Sequence, residues 1–341
     1  MSVPAVIATW FVADGADEAT YFPQVGTRSD APAAQATYWR CTVGFYASSL
    51  AVNPQARHVF YTNTALPALD GAPLEPVFAR WGIEVVHQPV IHRLAKGAVG
   101  AWGNQFYVFD VMAHHAAHAG EAALVLLDSD CLFVRPAAAL LAGIAAEGAL
   151  TYELGADEHP EGEPINGQTR EGLAAFVALH GGPGLAQVPY CGGEIYAASA
   201  AMNRRVVARA AALWPDVLAQ GPDAPREEAH LLSAIYALEG VPIGTADRFI
   251  KRMWTTFHHN TLAPSDRDLT IWHLPAEKKT GFADLYRRIA AAGFADPRDH
   301  AAALGLDPAS YARLMGYPRR RPAKFARDLG LKLAEKAKAL I

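Results

Sequence analysis

Apolar residues in the first third of this chain fall into short runs separated by longer amphipathic stretches, and the two kinds alternate. Ala5–Val12 is short and β-rich and predicts a first strand, followed by a loop of Gly, Asp and Pro to Pro32. Thr37–Val52 predicts a helix, ended by Asn53-Pro54, and His58–Thr62 a second strand. Leu74–Trp81 reads as a short helix and Gly82–Pro89 as a third strand. Asn104–His118 predicts a helix that Gly120 closes. Ala123–Leu127 is wholly apolar, as a strand covered on both faces must be. Strands alternating with helices predict an α/β fold, Rossmann-like, with a central mostly parallel sheet flanked by helices. Ligands of such sheets sit beyond the carboxyl ends of the strands. Asp128 and Asp130 stand at that position.

The second half is less regular. Residues 154–188 are rich in Gly, Pro and acid and read as one long connection. Then come YCGGEIYAAS (Tyr190–Ser199), helices over Ala200–Leu218 and Arg226–Leu238, and a strand-like LTIWHLP at Leu269–Pro275. No internal repeat and no linker precede Arg319, so the expectation is one domain over 1–318 and a separate tail over 319–341.

Composition narrows the class. The chain has 341 residues, 51% hydrophobic and 19% charged, which is a globular composition. A formal net charge of −4 gives no electrostatic footprint for nucleic acid over the chain as a whole. Cys41, Cys131 and Cys191 match neither a disulfide framework nor a zinc spacing. Reduced thiols and a cytoplasmic location are the expectation. The first residues, MSVPAVIATWFVADG, lack the basic start of a signal peptide. No apolar run reaches the roughly 18 residues of a membrane span. From Arg319 onward the tail carries eight Lys or Arg against Asp328 and Glu335. Phe325, Leu329, Leu333 and Leu340 approximate one helical stripe. Such a helix suits the surface of an anionic membrane, or docking on the domain itself.

The chemistry concentrates at ALVLLDSDCLFVRP. Residues i and i+2 of a strand share a face, so Asp128 and Asp130 can turn toward one hard cation. Mn²⁺ or Mg²⁺ suits carboxylate oxygens and the phosphates of a substrate. The structural alternative is a turn cap at Asp128 and a solvated Asp130. Delivering two unpartnered carboxylates on a buried strand is costly, which favours the cation.

This segment resembles the metal-binding Asp-x-Asp of GT-A fold nucleotide-sugar glycosyltransferases. The likeness is to retaining enzymes of the bacterial lipooligosaccharide galactosyltransferase type and the blood-group type, and runs in order from Ala5 to about Leu285. In IWHLPAEKKTGF it implies His273 as third metal ligand and Lys279 or Lys278 against the donor diphosphate, although Ala276 and Thr280-Gly281 depart from the family pattern. In EEAHLL it implies Glu228 or Glu227 beside the reacting sugar carbon. Both acids also suit the positive end of a helix. YCGGEIYAAS resembles the sugar and acceptor loop, implying Gly192, Gly193 and Glu194. For the nucleotide the implied residues are Thr9, Trp10, Phe11, Asn104, Gln105, Asp110 and Ser129. The resemblance implies a UDP-sugar donor, a saccharide or glycolipid acceptor, retention of configuration, and peripheral contact with the inner face of the membrane. A sugar nucleotidyltransferase would need a Gly-rich phosphate loop after the first strand, and Gly15 and Gly26-Thr27-Arg28 match it poorly. A non-catalytic carbohydrate- or membrane-binding relative is the other alternative. Arg252 and Trp254 lie near the last motif without an assigned role, as do His114, His115, His118, His258 and His259.

Overall fold

A computed structural model describes residues 4–155, 162–256, 258–317 and 322–338. Strand β1 (Ala5–Phe11) leads to helix α1 (Pro32–Val52), then β2 (Arg57–Thr62), β3 (Glu84–His87), α2 (Tyr107–His118) and β4 (Ala123–Leu127). After a turn come β5 (Cys131–Phe133), β6 (Ala149–Leu150), α3 (Arg170–Leu179), β7 (Ile195–Ala198), α4 (Ala200–Ala219) and α5 (Glu228–Glu239). Strands β8 (Ile250–Arg252) and β9 (Ile271–His273), helix α6 (Gly281–Ala291) and a last helix α7 (Pro322–Lys338) complete the elements used below.

The main sheet has the order β6-β7-β4-β1-β2-β3. Strands β4, β1, β2 and β3 run parallel, while β7 is antiparallel to both β4 and β6. The expected α/β fold with a mostly parallel sheet is therefore present. Strand β4 is buried along its whole length and β1 nearly so, which is why both read as continuous apolar runs. Helix α1 begins at Pro32, earlier than the expected Thr37, because proline needs no hydrogen-bond acceptor at a first helical position. Its residues Cys41 to Leu50 are all buried, and the hydroxyls of Thr42 and Ser48 there donate to helix carbonyls, as a helix enclosed by its neighbours requires.

Two features differ from the expectation. The stretch read as a long connection contains α3, started by the Thr169 side chain accepting from Gly172 N. A second, three-stranded sheet of order β8-β9-β5 also forms. Its strands have only three residues each, too few for a periodicity to register. Cys41, Cys131 and Cys191 are buried free thiols.

The chain reverses its direction of sheet growth between β1 and β4, the switch point at which an α/β sheet opens a crevice. At the other end, α7 docks through ions: Lys324 Nζ lies 2.8 Å from Glu277 and Arg327 2.9 Å from Asp284. Phe325, Leu329 and Leu333 remain exposed, Leu333 by 59%. The expected boundary at 318/319, and Leu340 of the stripe, lie outside the described residues. No helix among the described residues is long and apolar enough to cross a membrane.

Candidate active site

A cleft of about 290 Å³ opens at the switch point, floored by Trp10, Phe11 and Val12 from the end of β1 and by Asp128 from the end of β4. Strand register assembles what surrounds it. The antiparallel pairing of β5 with β9 sets His273 opposite Cys131, and Leu274 N donates to the Asp130 carbonyl at 3.0 Å. Residues 143 positions apart thereby become neighbours. The parallel pairing of β8 with β9 sets Arg252 beside His273. The antiparallel pairing of β7 with β4 brings Glu194 to Asp128, whose N–H donates to the Glu194 carbonyl at 3.1 Å.

His273 Nε2 lies 3.1 Å from Asp130 Oδ2 and 3.7 Å from Asp128 Oδ2. An octahedral ion with bonds of about 2.1 Å holds adjacent donors roughly 3 Å apart, close to these separations. One donor atom from each of Asp128, Asp130 and His273 falls within a mutual 4.8 Å, the one such cluster among the described residues. Two carboxylates and an imidazole suit Mn²⁺ and Mg²⁺. The other imidazole nitrogen, Nδ1, faces Glu194 Oε1 at 3.4 Å. Glu194 is itself clamped by Arg252 through contacts of 3.0 and 2.7 Å. A carboxylate so placed is the kind of outer-layer partner that would fix the tautomer and aim of an imidazole on a metal.

Charge decides the protonation states. Burial alone would raise the Asp130 carboxyl, but the Lys278 ammonium and the His273 imidazole override it and hold it well below the usual range. Burial would lower His273, but Asp130 and Glu194 raise it to about 9. Burial would raise Glu194, but Arg252 and His273 hold it at about 2. Asp128, whose side chain is 37% exposed to the cleft, is raised to about 6 by desolvation and by Asp130. Glu228 rises well above the carboxylate range, first through burial and then through Glu227 and Asp128. Its Oε2 is buried without a hydrogen-bond partner. Glu227 accepts from Asn166 and lies 3.2 Å from His230.

Most residues singled out in the sequence meet here. Trp10, Phe11, Asn104, Gln105, Asp128, Ser129, Asp130, Gly193, Glu194, Glu227, Glu228, His273 and Lys278 all line the cleft. Gly193 is required by space, since a Cβ there would collide with Glu228 Oε1. Gly192 does not line the cleft; it makes room for the Glu194 side chain and for Tyr152. Thr9 is buried inside β1. Asp110 is turned to the far side of α2, where it accepts from the N–H groups of Ile91 and His92 and pairs with the His92 ring. Its carboxylate is thus consumed in holding a loop. Lys279, which the family spacing favours, reaches the Val25 carbonyl at 3.3 Å, whereas Lys278 bonds Asp130.

Several lining residues lacked a sequence signal or an assigned role. Phe22, Gln24, Tyr38 and Trp102 close one end, and Trp254 and Arg252 another. Trp102 holds a left-handed φ of 48°, and its indole N–H donates to Gln24 at 3.2 Å. Asn104 is anchored by Asp14, which Ser29 and Arg93 also bind.

No family model matches the chain, and no curated protein does. Solved structures do. The galactosyltransferase LgtC, determined in complex with donor and acceptor sugar analogs, is matched over 79% of this chain and 86% of its own, at 11% identity and a TM-score of 0.42. Mouse xyloside xylosyltransferase 1 is matched over 80% and 97%, at 12% identity and 0.43. The bifunctional glycosyltransferase WbbM is matched over 80% of this chain and 45% of its own, at 9% identity and 0.43.

Proposed function

We propose that this protein is a metal-dependent glycosyltransferase. It moves a sugar from a nucleoside-diphosphate sugar, a UDP-sugar by preference, to a hydroxyl of a saccharide or glycolipid. The observation that carries this reading is the convergence of Asp128, Asp130 and His273 at the crevice of the sheet, with a buried ammonium on one side and a buried, unsatisfied carboxylate on the other.

Asp128, Asp130 and His273 would hold Mn²⁺ or Mg²⁺, which supplies Lewis-acid charge for the departing diphosphate. Trp10 and Phe11 flank the base, and Asn104 and Gln105 offer it hydrogen bonds; Asn104 is kept in place by Asp14. Ser129 stands between the two carboxylates, within reach of the ribose or phosphate. Lys278 adds fixed positive charge to the leaving group. Gly193 and Glu228 border the sugar. Burial, with Glu227 and Asp128 beside it, pushes the Glu228 carboxyl well above the usual carboxylate range, and it lines the cleft within reach of a sugar hydroxyl. Glu228 would be drawn toward its ionised form by a bound cation, its proton leaving to solvent as donor and cation bind, so that a carboxylate faces the anomeric carbon as it becomes positive. This placement, and the order of motifs along the chain, support retention. The charged helix α7 with its exposed Phe325, Leu329 and Leu333 supports peripheral contact with an anionic membrane, hence the cytoplasmic side of it.

Thermal unfolding with UDP, GDP or ADP, each with and without Mn²⁺, tests the donor class, because a ligand of the native state raises its stability. UDP with Mn²⁺ should give the largest rise, and Asp130→Ala should abolish it. Equal shifts in that variant would refute the site. NMR of the product decides the stereochemistry: a β-linkage formed from an α-linked donor would exclude retention. Sedimentation with phosphatidylglycerol vesicles checks the membrane contact, and Leu329→Glu with Leu333→Glu should abolish co-pelleting.

A further inference from the structure

We infer that Lys278 is a built-in competitor for the cation: in the metal-free protein its ammonium holds the Asp130 oxygen that the cation needs, and it passes to the donor's diphosphate as the cation binds. This rests on the metal site proposed above and adds an order of events to it.

Lys278 Nζ donates to Asp130 Oδ2, the same oxygen that faces His273 Nε2 at 3.1 Å. A carboxylate oxygen has about two lone-pair directions, and these two groups occupy both. Asp130 cannot swing away to offer another geometry. Its side chain is 2% exposed, and its carbonyl is tied to Leu274 N. The cation therefore gains its full share of Asp130 when the ammonium leaves.

The ammonium in turn cannot leave for nothing. Its side chain is 5% exposed, and a buried ammonium without an anion is strongly unfavourable. It rests against the Tyr38 ring, 5.5 Å from the centroid, and both residues line the cleft. An anion arriving in that cleft is within the sweep of a flexible four-carbon stem. A nucleoside diphosphate supplies that anion. Lys279 cannot take over, since its Nζ is turned to the Val25 carbonyl. Cation and nucleotide should consequently assist each other's binding, and by linkage the assistance is reciprocal.

The test is titration of the full chain with Mn²⁺, followed by electron paramagnetic resonance or calorimetry, with and without UDP. In the native protein UDP should tighten Mn²⁺ at least about tenfold. Lys278→Met should bind Mn²⁺ alone at least about tenfold more tightly than the native protein and lose most of the UDP effect. Lys278→Arg should restore the weak binding. Mn²⁺ affinity in Lys278→Met that is equal or lower, or an undiminished UDP effect, overturns the competition while leaving the metal site intact. Absence of Asp130-dependent Mn²⁺ binding in any condition overturns both. Should Lys278→Met fail to fold, lysine acetylation of the native protein read by mass spectrometry decides. Mn²⁺ alone should raise labelling of Lys278, and Mn²⁺ with UDP should suppress it; labelling unaffected by either overturns the proposal.

Discussion

Asp130 and Glu228 are both carboxylates buried in one cleft, yet the protein shifts them in opposite directions. Asp130 has an ammonium and an imidazole on one oxygen and is ionised throughout the usual pH range. Glu228 has Glu227 and Asp128 as charged neighbours and an oxygen with no partner, and its carboxyl is pushed well above the usual range. Burial acts on both in the same direction; the sign of the neighbouring charge decides between them. The same contrast separates two buried histidines. His273, between two carboxylates, is raised to about 9. His58, whose ring meets the Ser49 hydroxyl at 2.8 Å, is pulled down to about 4 by burial. The paired end of the cleft is built to keep charge, and the unpaired end to acquire it.

The comparison can be broken most sharply at its paired end. Asp130→Ala should lower kcat/KM for donor transfer and hydrolysis by about 10³-fold or more, the scale of several kcal/mol of lost charge stabilisation. Circular dichroism should still report the native secondary structure, at a lower melting temperature because Lys278 and His273 lose a shared anion. At the unpaired end, Glu228→Gln should cut kcat by about 10²-fold while Mn²⁺ affinity stays as it was. Full turnover in that variant would remove Glu228 from the reaction. Glu194→Gln probes the outer layer. It should weaken Mn²⁺ by about 10- to 100-fold. It should also destabilise the fold measurably, because the buried ion pair of Glu194 with Arg252 is broken. Combining it with Arg252→Met should cost less than the two changes separately, as residues of one pair do not add.

The comparison of the two histidines is tested at His58, which lies outside the cleft lining. Its folded pKa lies below the unfolded value of 6.5, so the stability it contributes is complete above pH 6.5 and is lost as the pH falls toward 4. The full loss amounts to about 3 kcal/mol. Urea midpoints of the native protein should drop between pH 7 and pH 4.5, and His58→Asn should flatten that drop. His273 has the reverse shift and contributes nothing to this acid-side loss.

Periodicity alone carried the reading of the sheet. Burial on both faces leaves a strand such as Ala123–Leu127 no polar position, and that constraint is visible without coordinates. So is the anomaly of two carboxylates at its end, because an unpaired buried charge is costly whatever the fold. Lys278 against Lys279 is a different kind of question. The resemblance implied Lys279 or Lys278 against the diphosphate; the structure turns Lys278 to Asp130 and Lys279 to the Val25 carbonyl. Asp110 looked like a free polar group on a helix until a loop 18 residues upstream was found bound to it.

Local sequence thus determined where the parallel strands of the main sheet run and that one of them must end in a charged site, since these follow from burial on both faces. Only the tertiary structure decided what each charge does. Glu194 orients a histidine, Asp130 is shared with Lys278, and the Glu228 carboxyl is pushed up because strand register and packing bring distant residues within 3 to 4 Å. Electrostatic interactions depend on that separation and on the exclusion of water, neither of which is written in the order of residues along the chain.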